Sequence, residues 1–125
     1  MENATIYDLM GGDQAIGRLV DAFYRREEAH ESLSRLFPAD IRPVRNRQYA
    51  FLRQFFGGPD RYAERYGPPM LRARHLPHPI TPGRREEWLA CMEGALDEAG
   101  IEGELSREVL RRLALTAQHM VNRED

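Results

Sequence analysis

Glycine and proline cut this sequence into short pieces, and within the pieces apolar residues recur every three or four positions. The breaks fall at Gly11-Gly12, Gly57-Gly58-Pro59, Gly67-Pro68-Pro69, the Pro77, Pro79 and Pro82-Gly83 cluster, and Gly100 with Gly103. Between them apolar and polar residues never alternate for long, and β-branched residues are few. Such a chain is expected to fold into helices rather than sheets. From Asp13 to Glu28, residues Ile16, Leu19, Val20, Phe23 and Tyr24 form one apolar stripe, with Arg18, Asp21, Arg25 and Glu28 opposite. Asp13 follows the glycine pair as a good N-cap residue. From about Val44 to Phe56, a second stripe carries Val44, Phe51, Leu52 and Phe55. Pro68 and Pro69 allow a helix to start, and Pro77 and Pro79 stop it, so the piece from about Met70 to Leu76 is short. From Arg84 to Ala99, residues Trp88, Met92, Ala95, Leu96 and Ala99 share one side. Ser106 then caps a last helix with Val109, Leu110, Leu113, Ala117, Met120 and Val121 inward. The expectation is an all-α chain of four substantial helices and one short helix, a single domain over residues 1–125. The connection from Phe56 to Met70 is long and rich in Gly, Pro and Tyr, as functional loops often are.

Charge and cysteine usage exclude several classes. The 125 residues carry 18 basic and 20 acidic side chains, a net charge of −2. A general nucleic-acid binder would show a basic excess. All 18 basic residues are arginine, so neither a lysine Schiff base nor a phosphate-loop lysine is available. The single cysteine, Cys91, allows no intrachain disulfide and suits a reducing cytoplasm. No apolar run approaches the ~20 residues that span a bilayer. The N-terminal MENATIYDLM has no basic stretch followed by an apolar one, so it does not read as a secretory signal. The expected setting is cytoplasmic, with neither a membrane nor nucleic acid as partner.

The residues that carry chemistry are few. Gln48 lies four positions from Val44 and four from Leu52, a polar side chain on an apolar face. Tyr24 and Trp88 place two further hydrogen-bond donors on inward faces. His75 ends the short helix within MLRARHLPHP. A surface or core histidine is the commoner occupant of such a position. One histidine without a second His or Cys at metal spacing cannot build a zinc site. It can supply one axial bond to a haem iron, whose other four donors come from the porphyrin. That use asks for an apolar slot, which Phe23, Phe51, Leu52, Phe55, Trp88 and Met92 would line, although each also suits a plain core. It asks for cations beside two propionates, which Arg47 and Arg74 would supply. No Cys-x-x-Cys-His occurs, so a covalently attached haem is excluded. No nucleotide-binding signature occurs, so electrons for any turnover would come from elsewhere. His30 and His119 read as surface residues, and Cys91 as a buried small hydrophobe.

Several runs together resemble the truncated haemoglobins of group II. They are Gly11-Gly12, Phe23-Tyr24, Phe37-Pro38, FLRQFFGGP from Phe51 to Pro59, YGPPMLRARHLPHPI from Tyr66 to Ile80, EEWLACM from Glu86 to Met92, and AQHMVN from Ala117 to Asn122. The resemblance covers nearly the whole chain, and its specific part is the His-centred run with the tryptophan downstream. It implies a bacterial truncated globin: a two-over-two helical sandwich around one haem b. It implies His75 as the proximal iron ligand and Tyr24 and Trp88 as distal donors. Gln48 falls at a distal position that is Gln in part of the family. Phe37 falls where group II members carry Tyr or Phe, and Val44 where a small residue is usual; Phe23 and Leu71 belong to the same pocket. Arg47 and Arg74 match cations near the propionates, and Phe51, Leu52, Tyr62, Arg72, Ile80 and Met92 complete the expected cofactor contacts. No residue is assigned a definite catalytic role. Two departures stand out. His78 stands where relatives usually have Phe, which invites an alternative ligation, and Phe37 instead of Tyr removes a hydroxyl from the pocket.

The implied function is tight, reversible binding of dioxygen at ferrous iron with slow release, for storage or carriage. Carbon monoxide and nitric oxide are the other diatomic ligands. The alternative is an enzyme using the same haem for nitric oxide dioxygenation or peroxide-dependent oxidation with a separate reductase. A haem-free helical interaction domain is the third reading, and a colourless protein would favour it. The chain is expected as a monomer or homodimer.

Overall fold

The computed structural model describes residues 4–59 and 70–124, and among them there are seven helices and no strand. Helix α1 spans Ile6–Met10, α2 Gly12–Ala29, α3 Glu31–Ser34, α4 Arg42–Phe55, α5 Leu71–His75, α6 Pro82–Glu98 and α7 Gly103–Met120. Tyr62 and the rest of the Gly-, Pro- and Tyr-rich run from 60 to 69 lie outside the described residues.

The ends of these helices follow local chemistry. At α1, the Thr5 hydroxyl accepts the Asp8 backbone N–H at 3.1 Å while the Asp8 carboxylate accepts the Thr5 N–H at 3.1 Å. Gly11, at φ 114°, ends α1 and serves as the N-cap of α2. Asp13 is therefore not the cap that its position suggests. Its carboxylate instead accepts the Tyr7 hydroxyl at 2.6 Å and the Arg53 guanidinium at 2.8 and 3.2 Å. One carboxylate thus ties α1 and α4 to the start of α2. Pro82 opens α6, where its missing N–H costs nothing, and the Thr81 hydroxyl accepts the Arg84 N–H at 3.1 Å. Helix α7 begins at Gly103 without a side-chain cap, and Ser106 lies inside it rather than at its start.

Helix α2 packs across both α4 and α6, and α6 packs against α7. The α2/α4 pair lies on the α6/α7 pair, the two-over-two helical sandwich. Short α1 touches α2 and α7, α3 rests on α2 and α6, and α5 rests on α7. Ile16, Leu19, Val20 and Phe23 of α2 are buried completely against Met92, Leu96 and Val109, with Leu52 and Leu113 almost as covered. Each such aliphatic or aromatic side chain stabilises the fold by about 1.5–3 kcal/mol. Cys91 is buried in the same core. Glu27 is the one buried charged residue among those described, 2% exposed. On α4 only Leu52 is fully buried, while Val44, Phe51 and Phe55 are half-buried. For Val44 and Phe51 the reason is that their face fronts a cavity. No described helix is long and apolar enough to cross a membrane.

Candidate functional site

A cavity of about 310 Å³ lies between the two helix pairs. Its walls come from α2, α4, α5, α6 and α7, so residues far apart in the chain meet there.

One side carries hydrogen-bond donors. Tyr24 of α2, Gln48 of α4 and Trp88 of α6 all line the cavity. Among the described residues, no protein group takes a hydrogen bond from any of these three side chains. The rings are set by aromatic contacts. Phe23 stands edge-on to Tyr24 at 5.0 Å and tilted to Trp88 at 5.2 Å, and Phe37 stands edge-on to Tyr24 at 5.9 Å. Phe23 is thus a fully buried support behind the wall, while Phe37 and Val44 belong to the wall itself. Burial, then the nearby charge of Glu27, pushes the Tyr24 phenol well above its ordinary range, so it stays protonated and donates.

His75 lines the same cavity. It is half-buried at the C-terminal end of α5, and its Nδ1 lies 2.7 Å from the Leu71 carbonyl oxygen. A carbonyl only accepts, so Nδ1 carries the proton and Nε2 is left with its lone pair. His75, Leu71 and Ile80 all line the cavity, as does His78, which is otherwise exposed.

The rest of the wall is apolar and cationic. Leu52 and Phe51 face it from α4. Arg47, Arg74, Arg84 and Arg85 also line it, and no Asp or Glu does so among the described residues. Arg84 donates to the Pro79 carbonyl at 2.7 Å, and Arg85 pairs with Glu86 at 2.9 Å. Two residues expected to contact a cofactor stand elsewhere. Met92 lies in the core, completely buried and off the cavity wall. Arg72 is exposed and gives its Nη1 to the carbonyls of His119, at 2.6 Å, and Val121, at 3.1 Å. Carbonyls at the end of a helix lack intrahelical partners, and a guanidinium meets that need.

Sequence reasoning left out the wall made by α7. Thr116, Ala117 and Met120 line the cavity beside Leu113, as do Leu33 and Leu36 near α3. The signal was present: the inward stripe of α7 runs past Leu113 to Ala117 and Met120, beyond the turn that packs on α6.

These residues fit a haem. There is an apolar slot and an imidazole whose Nδ1 is held by its own helix. Cations and, among the described residues, no carboxylate line its wall, which suits two propionates. Three donors line the same cavity as the imidazole. Among the described residues, no cluster of three or more His, Cys, Asp or Glu is placed to hold a bare metal ion.

Comparisons with known proteins agree. The family model described as bacterial-like globin matches residues 5–122. The group 2 truncated hemoglobin YjbI of Bacillus subtilis (strain 168) is 49% identical over 111 residues, covering 89% of this chain and 84% of that protein. The crystal structure of the group II truncated hemoglobin from Bacillus anthracis superposes with a TM-score of 0.97 at 49% identity, over 100% of this chain and 96% of that one. The X-ray structure of a truncated oxygen-avid haemoglobin from Bacillus subtilis superposes with a TM-score of 0.91 at 46% identity, over 95% of this chain and 100% of that one.

Proposed function

Because the chain belongs to the bacterial-like globin family, as a truncated haemoglobin of group II, we propose that it binds one haem b in this cavity and dioxygen tightly on that haem, with His75 as the proximal ligand. The observation that carries this reading is the 2.7 Å contact between His75 Nδ1 and the Leu71 carbonyl. It selects the tautomer whose Nε2 lone pair is ready for a metal, the arrangement that second groups usually impose on ligating histidines. When bound, the haem supplies a ferrous iron with one open position for a diatomic ligand.

This chain's own residues then decide how tightly that ligand stays. Arg47 and Arg74 bind the propionates through charge-assisted hydrogen bonds. Leu52 and Phe51 exclude water from one face. Tyr24 and Trp88 donate to the ligand as it draws negative charge, and Gln48 adds an amide N–H. A hydrogen bond to a charged group is worth ~1.5–3 kcal/mol, roughly tenfold to a hundredfold in affinity for each. Three such donors make release slow. The oxygen-avid character in the name of the Bacillus subtilis structure supports the same expectation. Slow release suits storage, scavenging or sensing better than bulk delivery.

The test is the visible spectrum of the purified protein: oxidised, reduced, and reduced with carbon monoxide. A haem spectrum that responds to carbon monoxide is expected. It should be lost or altered in His75→Ala and kept in His78→Ala. A damaging His78→Ala would give the ligand role to the wrong histidine here. No haem band after reconstitution with hemin would withdraw the whole reading.

A further inference from the structure

His75 sits at the end of a helix that cannot orient it alone. Helix α5 has five residues, far below the length at which a helix is stable by itself. Past its end the backbone closes only a tight turn: the Leu76 N–H donates to the Arg72 carbonyl at 3.0 Å and the His78 N–H to the His75 carbonyl at 2.9 Å. The segment that follows holds Pro77 and Pro79, which have no N–H to donate.

The C-terminal segment ties this turn down through one side chain. Asn122 Nδ2 donates to the His75 carbonyl at 3.0 Å and to the His78 carbonyl at 2.9 Å. Its Oδ1 accepts the Ile80 N–H at 3.0 Å, and its own backbone N–H donates to the Ile80 carbonyl at 2.9 Å. Arg72 reinforces the junction from the other strand of the contact, through the carbonyls of His119 and Val121. A primary amide is the side chain that gives two N–H groups and accepts at one oxygen together. Asn122 uses all three on the turn that carries His75.

We propose that Asn122 is a positioning residue for His75: by clamping the His75–Ile80 turn to the end of α7, it sets the tilt and reach of the imidazole toward the haem iron. The inference rests on His75 as the proximal ligand. The variant Asn122→Asp keeps the side-chain volume and the acceptor for Ile80 but loses both donations, while Asn122→Ala loses all three contacts. Three readouts apply: the iron–histidine stretching band of the reduced protein by resonance Raman, the rate of haem loss to an excess of acceptor globin, and amide exchange at residues 75–80 in the haem-free protein.

In Asn122→Asp the band is expected to move or broaden, haem loss to accelerate about tenfold, as for lost second-sphere partners of other metal ligands, and exchange at 75–80 to quicken. A lower melting temperature with band, haem loss and exchange unchanged in both variants would reduce Asn122 to a fold contact and overturn the proposal. Failure of both variants to fold would do the same. If His75→Ala keeps the iron–histidine band, the proximal assignment itself fails and the proposal falls with it. Faster exchange in the haem-free Asn122 variants would then mark the clamp as real but aimed at no ligand.

Discussion

Tyr24, Gln48 and Trp88 are single residues on three helices, and their effect should be separable one at a time. Tyr24→Phe and Trp88→Phe each remove one donor and little volume, and each is expected to speed oxygen dissociation about tenfold or more. Stopped-flow displacement of oxygen by carbon monoxide measures this, and no change in either would remove these residues from the ligand's surroundings. Glu27 calls for a different experiment. Its carboxyl is pushed above the ordinary value by burial first and by Glu28 second. A carboxyl harder to ionise in the fold than in the unfolded chain supports folding fully below the ordinary value of 4.5, and that support is lost as pH rises through the higher native value. Glu27→Gln is therefore expected to raise the urea midpoint at pH 7, with the gain shrinking by pH 4. A gain equal at both pH values would show that ionisation is not the cost. The sequence marked Tyr24 and His75 as candidates but not Glu27, because position 27 reads as one more charge at the end of a helix. Family position marks a neighbourhood for Arg72, and the carbonyls of His119 and Val121 take its guanidinium.

Among helices, the four long ones and the proline-bounded α5 were readable, and α1 and α3 were not. Helices α2, α4, α6 and α7 each run for three or more turns, enough for an apolar stripe to repeat. Helices α1 and α3 have five and four residues, too few to show a period. Their evidence is the capping box at Thr5 and Asp8 for α1, and the His30 side chain that caps α3. The starts of α2 and α7 differ from expectation because Gly11 and Gly103, both at positive φ, turn the chain before the polar residues Asp13 and Ser106 are reached. Two glycines test the element packing in opposite directions. A Cβ on Gly58 would stand 2.7 Å from the Tyr7 ring and 2.9 Å from the Arg53 carbonyl. Backbone cannot yield easily, so Gly58→Ala should destabilise by about 1–3 kcal/mol through overpacking where α1 meets α4. A Cβ on Gly94 in α6 would meet only the Arg26 guanidinium, at 2.7 Å. That group is the exposed end of a long side chain that can turn aside, and its pairing with Glu98 is worth little. The better helix propensity of alanine should win, so Gly94→Ala should stabilise by about 0.5 kcal/mol. Urea unfolding of the two variants checks both signs.

At the scale of the molecule, the cavity was beyond the reach of periodicity. A stripe on one helix says that a face is buried, not whether it meets another helix or an empty slot. The half-burial of Val44 and Phe51, set against complete burial of Leu19 and Phe23, distinguishes the two only once the pairs are assembled. The clamp from Asn122 to His75 joins residues 47 positions apart, a distance no local pattern spans. One feature of the assembled core has a practical use. Cys91 is the only thiol of the chain and is 7% exposed, on the helix that packs against both α2 and α7. Burial also pushes the thiol above its ordinary value, so little thiolate forms while the core is closed. A thiol-reactive dye should therefore react only when α6 separates from its neighbours, and the labelling rate becomes a clock for that opening. Hemin should slow the clock in proportion to its binding, since a ligand held by the closed form reduces the open population. Equal labelling rates with and without hemin would mean that the core opens at Cys91 without disturbing the cavity. A slowed rate would let one dye trace report haem affinity independently of the visible spectrum.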